Sequence, residues 1–384
     1  MPPLQRAALL LWFLLGIALP PSLSTSGHAQ YYPPRGQWEE RMEPNDGELQ
    51  AAVNFALSNE YSGERDLRLA ILKGFAREPG HTLRGPTKER GGPAGMIVKN
   101  GYVIARWGDT KRVDMTFSVT KSYLSTTAGL ALDDGLIGDV RDSVVHYVWD
   151  GTFTGDHNRG ITWEHLLHQT SDWSGTLFGF DDWTDRPDRN GDYDTWKYRT
   201  RRPPGTHYKY NDVRVNVLAY SLLHVWRRPL PQVLRERIMD PIGASTTWRW
   251  FGYDDSWVTL DGQRMQSVSG GGHHGGGVFI NTEDHARLGL LFARRGNWAG
   301  RQLISADWVA AVRTPAPANA SYGYMWWLNA GERAMDGVPP DVYYAAGFGG
   351  NFIVVDEARD LVIVTRWLEP GRLADFLRLV YRAL

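Results

Sequence analysis

The sequence predicts an α+β fold, an α/β sandwich in which an antiparallel sheet is flanked by helices and interrupted by a mainly helical insertion. Early in the chain, two short β-prone runs, Met96–Lys99 and Tyr102–Ala105, surround an Asn-Gly pair and predict a hairpin. Apolar-rich helical segments follow, and further β-prone runs come late. We therefore expect one sheet assembled from both ends of the chain. The late runs are Tyr343–Ala346, Phe352–Val355 and Leu361–Trp367.

The segment Met1–Ala29 has the pattern of a secretory signal peptide. Arg6 precedes the apolar run Ala7–Leu19, which is too short for a comfortable membrane span, and Gly27-His28-Ala29 offers small residues at the usual cleavage spacing. We predict cleavage after Ala29 and no stable membrane association afterwards, with an uncleaved anchor as the alternative. The chain has no cysteine, and export without disulfides fits a periplasmic or secreted protein.

Composition narrows the range of partners. The 384 residues are enough for a large core and one or two domains. The net charge of −1 gives no reason to expect nucleic acid or an acidic membrane surface as a partner. Seventeen tryptophans and 12% aromatic residues predict either the walls of a pocket or dense core packing. We expect a small-molecule substrate, and the sequence predicts no oligomeric state.

The remaining segments define a domain plan. Residues 30–93 are predicted to form a leader with a helix, and residues 94–384 the main domain, with a helical subdomain at about 125–275. Thr162 is predicted to cap a helix. Other helices are predicted at Glu48–Leu57, Val213–Val225, Glu283–Arg294 and Leu373–Leu384.

The segment Phe117–Ser122, followed by the apolar run Tyr123–Leu132, predicts a buried helix with Ser118 in its first turn. Because positions i and i+3 share a helix face, we expect the side chains of Ser118 and Lys121 to meet. Free N–H groups at the helix start favour an oxyanion, and a desolvated lysine can lose its proton near neutral pH and accept that of the serine. Ser-x-x-Lys is common by chance, and the alternative is an N-cap serine beside a solvated lysine.

Two stretches carry metal-binding residue types. Asp188–Asp192 has part of a calcium-loop pattern, but Arg186 occupies the position of the first carboxylate and no glutamate closes the loop. The glycine run Gly270–Gly277 encloses His273 and His274, and adjacent histidines seldom bind one metal. A turn in which the backbone approaches its neighbours closely is favoured there. We expect no metal at either place.

A series of motifs occurs in this order along the chain: Met96–Ala105, Ser118–Lys121, Thr162–Ser171, Pro204–Asp212, Gly270–Gly272 and Tyr322–Trp327. The series resembles the serine β-lactamase-related, penicillin-recognising hydrolases. The likeness is greatest to their class C-like branch of esterases, D-aminopeptidases and 6-aminohexanoate-dimer hydrolases. It covers roughly residues 94–384 and implies a β-lactamase/transpeptidase-like fold. Several ordered matches are more specific than one motif.

The resemblance implies roles for three side chains. Ser118 corresponds to the nucleophile, Lys121 to its activating partner and Tyr210 to the tyrosine that passes a proton to the leaving group. A tyrosine normally titrates near 10, so this role requires nearby cations such as Lys121. From the residues alone, Tyr210 could equally be a core aromatic, and Tyr208 is the competing candidate two positions earlier.

Asp212 departs from the family pattern, which has Asn at the third position of the tyrosine motif. An ionised Asp only accepts hydrogen bonds. It could hold Lys121 in place, but it would favour the charged lysine and oppose its role as a base. The alternative is that Asp212 caps the helix beginning at Val213.

A second departure concerns the strand motif Lys-Thr-Gly or His-x-Gly. Its counterpart is Ala345-Ala346-Gly347-Phe348, which lacks the cation that would bind a substrate carboxylate. The backbone remains, and the N–H groups of Ser118 and of Phe348, which follows Gly347, are the predicted oxyanion donors.

These features together predict a serine hydrolase that acts through an acyl-enzyme on a small ester or a linear amide, with no metal or organic cofactor. Trp173 is expected to be either a pocket wall or a core residue. One alternative is a D-Ala-type cell-wall peptidase or β-lactamase. Another is a non-catalytic sensor of cell-wall peptides on the same fold, although a pure binder has no need of the Ser, Lys and Tyr trio.

Overall fold

In the part of the chain that the structure describes, the strands form one large sheet, one smaller sheet and two short hairpins. A computed structural model describes residues 30–41, 46–187, 193–272 and 274–384, so the predicted signal peptide lies outside the described residues. In chain order the strands are β1 (Ala94–Lys99), β2 (Tyr102–Trp107), β3 (Asp114–Met115), β4 (Thr176–Leu177), β5 (Phe180–Asp181), β6 (Arg249–Leu260), β7 (Gln263–Val268), β8 (Gly277–Ile280), β9 (Asn297–Trp298), β10 (Arg301–Gln302), β11 (Trp327–Leu328), β12 (Tyr343–Gly347), β13 (Asn351–Asp356) and β14 (Leu361–Arg366).

The large sheet contains strands from both ends of the chain, as predicted. Its order is β11-β12-β13-β14-β1-β2, and every neighbouring pair is antiparallel. The predicted Asn-Gly hairpin is present between β1 and β2, where Asn100 and Gly101 have φ values of 55° and 85°. Two successive positive φ angles are typical of the type I′ turn that joins twisted antiparallel strands.

Helices cover both faces of this sheet. Not every helix contacts the sheet; in the described residues the helices are, in chain order, α1 (Asp46–Ser58), α2 (Leu67–Gly74), α3 (Thr120–Asp133), α4 (Trp163–Leu167), α5 (Tyr193–Lys197), α6 (Asp212–Trp226), α7 (Leu230–Leu234), α8 (Thr282–Ala293), α9 (Ala306–Ala311) and α10 (Leu373–Ala383). A π-helical turn, Arg235–Met239, extends α7. The predicted cap of α4 is confirmed, because Thr162 accepts a hydrogen bond from the N–H of His165.

The sheet is buried on both sides, so its central strands are almost continuously buried and successive residues point into opposite cores. Met96 and Val98 of β1 pack in the core shared with α3 and α8, whereas Ile97 packs in the core shared with α1 and α10. Gly289 allows α8 to lie directly on the sheet, because a Cβ at that position would be 2.4 Å from Val362 Cγ1. Sheet and helices therefore form the predicted α/β sandwich.

A second sheet, with the order β3-β8-β6-β7, was not predicted. The hairpin β6–β7 lies inside the region we expected to be mainly helical. Its register shifts between Gly252 and Trp257, and polar residues occupy the middle of β6, so the strand lacks a simple alternation. The expectation of a single sheet was wrong for this reason.

The start of α3 differs slightly from the prediction. Ser118 lies in a 3-10 turn, Phe117–Val119, and the α-helix begins at Thr120. Helix ends are often tightened in this way. α3 is buried along nearly its whole length, as the apolar run indicated.

Arg366 joins the two sheets behind this turn. Its guanidinium donates to the main-chain oxygens of Met115 and Ile280 at 2.8 and 2.9 Å, and to Asn351 Oδ1 at 2.6 Å. Asn351 Nδ2 in turn donates to the main-chain oxygen of Phe348 at 2.7 Å. These hydrogen bonds link β3, which precedes Ser118, to β8 and to the turn that contains Phe348.

Residues Tyr31–Leu384 form one compact unit. Of the helices in the described ranges, none combines the length and the apolar character needed to cross a membrane.

Candidate active site

Ser118 and Lys121 meet as the helical spacing predicts. Lys121 Nζ donates a hydrogen bond of 2.9 Å to Ser118 Oγ and lies 3.4 Å from the main-chain oxygen of Gly270. The lysine side chain is 2% exposed. Ser118 is partly exposed and borders a cavity of about 540 Å³. A buried amine thus contacts a hydroxyl that solutes can reach.

The glycine run before β8 permits this close packing. A Cβ on Gly271 would lie 2.0 Å from the main-chain oxygen of Phe117, and one on Gly272 would lie 2.7 Å from the carboxyl carbon of Asp212. The run is therefore a close approach of backbone to the Ser118 turn, as the sequence indicated.

The structure describes only part of the two stretches that carry metal-binding residue types. His274 is buried, and its Nδ1 is 2.8 Å from the main-chain oxygen of Thr82, whereas His273 lies outside the described residues. The calcium-like stretch Asp188–Asp192 also lies outside them. No group of three or more His, Asp or Glu side chains in the described ranges is arranged to bind a metal ion.

Asp212 contacts the lysine directly. Its Oδ1 lies 2.7 Å from Lys121 Nζ and its Oδ2 lies 2.9 Å from Arg186 Nη1, and the Asp212 side chain is 1% exposed. The residue that caps α6 is Asn211, whose side chain accepts from the N–H of Arg214 at 3.0 Å. The alternative in which Asp212 serves as the cap is therefore wrong.

These contacts determine the charge of the lysine. Burial lowers the pKa of Lys121, but the carboxylate of Asp212 and the phenol of Tyr210 act in the opposite direction and raise it above its ordinary value. Arg186 opposes the rise. The ammonium form of Lys121 is therefore favoured in the free protein, because the contact with Asp212 outweighs burial, the two opposing effects that the sequence left open.

Arg186 is a member of the site that the sequence reasoning missed. It lines the cavity, and its Nη1 lies 2.7 Å from Asp185 Oδ1 as well as 2.9 Å from Asp212. Asp185 also accepts a hydrogen bond from the N–H of Asp212. The two carboxylates hold the pKa of Arg186 well above its usual range despite burial. With Lys121 protonated, this cluster contains two cations and two anions.

The structure distinguishes between the two candidate tyrosines. Tyr210 lines the cavity, with Lys121 Nζ 4.9 Å from its ring centre and Trp327 stacked on it at 5.9 Å. Tyr208 packs against Tyr322 at 5.3 Å and does not border this cavity. The geometry therefore favours Tyr210 as the tyrosine that faces a substrate.

The end of β12 lies against the Ser118 turn. A Cβ on Gly347 would be 2.2 Å from the main-chain oxygen of Thr116 and 3.3 Å from the nitrogen of Ser118, so only glycine fits. In the described part of the chain, the N–H groups of Ser118 and Phe348 donate to no other protein atom. Both predicted oxyanion donors are thus available beside the cavity.

Trp173 is not a wall of this cavity. Its side chain is 2% exposed, packs in the main core and donates through Nε1 to the main-chain oxygen of Thr152 at 2.9 Å. The pocket-wall interpretation was wrong, and the core alternative describes its position.

The rest of the cavity wall comes from segments that carried no sequence motif. Arg333 is exposed at its rim, with its guanidinium carbon 3.8 Å from the ring centre of Trp327. Tyr61 and Phe75, from the N-terminal part of the chain, form another side. Nothing in the sequence near these residues indicated a site, because their contact with it depends on how distant segments pack.

Comparison with known proteins agrees with this architecture. The sequence model of the family described as Beta-lactamase matches residues 85–369. A protein of Escherichia coli O157:H7, provisionally named a D-alanyl-D-alanine carboxypeptidase, is 26% identical over 195 residues. That match spans 42% of this chain and 45% of the relative, less than half of the relative's length.

Solved structures share the fold. A family VIII carboxylesterase has a TM-score of 0.56 at 17% identity, covering 91% of this chain and 99% of that one. A β-lactamase/D-alanine carboxypeptidase from Pseudomonas syringae has a TM-score of 0.57 at 13% identity, covering 89% and 98%. The predicted β-lactamase/transpeptidase-like α+β fold is confirmed.

Proposed function

The chain belongs to the beta-lactamase family, and from this premise we propose that it is a serine hydrolase acting through an acyl-enzyme on a small ester or a linear amide. The observation that carries the proposal is the 2.9 Å hydrogen bond between Lys121 Nζ and Ser118 Oγ beside an open cavity. Covalent acyl transfer requires a hydroxyl that contacts a group able to take up its proton, next to a substrate-sized space.

In the proposed acylation step, Ser118 Oγ attacks the carbonyl carbon of the substrate. The Ser118 proton passes to the neutral form of Lys121, and Tyr210 relays a proton from Lys121 towards the leaving group by giving up its own. The negative charge on the carbonyl oxygen is stabilised by the N–H groups of Ser118 and Phe348. One such donor is worth about 3–4 kcal/mol of transition-state stabilisation.

Collapse of the tetrahedral intermediate expels the alcohol or amine, which takes up the proton from the Tyr210 side. Water then attacks the acyl-enzyme, loses a proton to the same groups and releases the carboxylic acid with Ser118 restored. Because the resting Lys121 is an ammonium, its reactive neutral fraction increases with pH.

A D-Ala-type cell-wall peptidase or β-lactamase is the second candidate, and Arg333 favours it. The sequence lacks a cation in the strand motif, but the guanidinium of Arg333 at the cavity rim offers another partner for a substrate carboxylate. A non-catalytic sensor of cell-wall peptides requires binding without turnover.

One experiment separates these functions. The purified protein is treated with a fluorophosphonate or a penicillin, the labelled residue is identified by mass spectrometry, and turnover is screened on short-chain esters, β-lactams, D-Ala peptides and linear amide dimers. Modification of Ser118 with ester or linear amide turnover supports the proposal, and turnover of β-lactams or D-Ala peptides supports the second candidate. Modification without any turnover supports the sensor.

The matched variants are Ser118→Ala and Ser122→Ala. Ser122 Oγ donates to the main-chain oxygen of Met325 at 2.9 Å and serves as a nearby control. We expect Ser118→Ala to lose labelling and turnover while its stability changes by no more than about 1–2 kcal/mol. Ser122→Ala should still be labelled at Ser118. Retained turnover in the folded Ser118→Ala variant would exclude Ser118 as nucleophile.

A further inference from the structure

The cavity beside Ser118 ends in a corner of three aromatic rings. The ring centre of Phe348 is 5.5 Å from that of Tyr61 and 6.1 Å from that of Phe75. All three residues border the cavity and are only partly buried. Phe117 packs behind them, 5.1 Å from Phe348. The corner therefore presents apolar surface directly next to the predicted oxyanion donors.

The segment that supplies two of these rings is firmly attached. Arg90 is buried and donates to the main-chain oxygens of Tyr61 and Gly63, both at 2.8 Å, and to Glu60 Oε1 at 2.6 Å. The N–H of Tyr61 donates to the main-chain oxygen of Trp367 at 2.7 Å. Buried side chains of α2 pack against Met115 and Phe117, immediately before Ser118: Leu67, Ala70 and Ile71. These contacts hold the segment that carries Tyr61 and Phe75 in a fixed position beside the cavity.

Two of the three rings lie outside the family match. The family match begins at residue 85, so Tyr61 and Phe75 both precede it. The segment that carries them closes one side of the cavity that contains the Ser118 hydroxyl. The contribution of this segment to the cavity therefore depends on its own side chains.

The position of Tyr210 indicates which part of a substrate meets the corner. Tyr210 is the proposed proton donor to the leaving group, and it stacks on Trp327. Arg186 lies between the two sides, with its guanidinium carbon 5.0 Å from the ring centre of Tyr210 and 5.9 Å from that of Phe75. A leaving group beside Tyr210 directs the acyl group to the opposite side, towards Phe348.

We propose that Tyr61, Phe75 and Phe348 form an acyl-binding subsite that selects substrates with an apolar alkyl or aryl acyl group. The inference rests on the proposed function, because it concerns the acyl part of the same reaction. Burial of each added methylene against the rings raises kcat/KM.

The test compares esters that differ only in the acyl group. With p-nitrophenyl acetate, propanoate, butanoate and benzoate, we expect kcat/KM of the wild type to rise roughly fourfold per methylene, the factor given by about 0.8 kcal/mol per buried methylene. A second series keeps the acetyl group and varies the alcohol. Its slope should be unaffected by substitutions in the corner.

Three variants test the assignment to these rings. Phe75→Ala should reduce the butanoate-to-acetate ratio about tenfold. Phe75→Trp should fill the corner and favour acetate. Tyr61→Leu keeps an apolar side chain and provides a second test if Phe75→Ala disturbs folding. It should reduce the ratio of kcat/KM for benzoate to that for acetate. Leu72→Ala is the control, because Leu72 lies on α2, is 36% exposed and does not border the cavity.

The outcomes separate the inference from the function on which it rests. If acetate is hydrolysed in a Ser118-dependent way but the acyl series is flat, or the Phe75 variants leave its slope unchanged, the subsite is refuted and the hydrolase stands. A slope that also changes in Leu72→Ala would trace the effect to the segment in general and would likewise refute the subsite. Absence of any Ser118 labelling or ester turnover would instead refute the hydrolase.

Discussion

Asp212 and Arg186 should shift the pH dependence of the reaction in opposite directions. Asp212→Asn removes the carboxylate 2.7 Å from Lys121 Nζ, and Arg186→Gln removes the cation that shares this carboxylate. The carboxylate raises the pKa of Lys121 and the arginine lowers it. Since the neutral lysine is the reactive form, the acidic limb of the rate profile should move to lower pH in the first variant and to higher pH in the second.

The size of each shift follows from the distances. An opposite charge in direct contact shifts a pKa by about 1–3 units, so we expect the limb of Asp212→Asn to fall by that amount. Arg186 acts from the far oxygen of the carboxylate. Because this carboxylate lies between the two cations, we expect a smaller movement of the limb for Arg186→Gln than for Asp212→Asn.

The assay is kcat/KM for an activated ester measured across the range in which the enzyme remains folded, as judged by circular dichroism. Asp134→Asn is the matched control, because Asp134 pairs with Arg237 at the surface and lies at the opposite end of α3 from Lys121. Its limb should stay in place. An unmoved limb in Asp212→Asn, or a shift of the same sign in both site variants, would refute the coupling.

Three further predictions follow from the same geometry. Tyr210→Phe should lower kcat by roughly 100-fold or more, the usual scale for a positioned acid–base group, whereas Tyr208→Phe should change it little; steady-state kinetics with the reverse result would exchange their roles. Gly347→Ala should lower kcat about 10²–10³-fold with the fold retained, because the new Cβ would push β12 away from Thr116 and displace an oxyanion donor, and near-normal kcat would contradict that position for the donor. N-terminal sequencing of the exported protein should begin at Gln30, and an intact Met1 on a membrane-bound product would favour the anchor instead.

Local patterns predicted much of the fold because they carry their own geometry. Asn100-Gly101 specifies a hairpin turn whatever surrounds it, and the apolar run after Ser118 specifies a buried helix. The hairpin β6–β7 offered a similar signal in Asp261-Gly262, whose φ values are 51° and 76°, but the polar residues and bulge of β6 obscured the strand on one side of it.

The site was predicted where its parts are close in sequence and missed where they are not. The spacing of Ser118 and Lys121 is a helical property, so their contact could be foreseen. The charge on Lys121 depends on Asp212 and Arg186, which approach it from two other segments, and no sequence pattern gives those distances. Burial and ion pairing act in opposite directions here, and only the measured contacts decide between them.

The pairing of β1 with β14 has a consequence for how this protein is made. Ala94 lies opposite Arg366. One side of β1 therefore has no partner strand until the distant strand β14 has been synthesised. Such long-range closure slows folding, and an unpaired strand edge invites aggregation in the meantime. The proposed oxyanion donor at Phe348 is delivered by the same late segment, so a chain truncated before it should lack part of the proposed site. Hydrolytic activity should therefore appear abruptly, only when the C-terminal strands have entered the sheet.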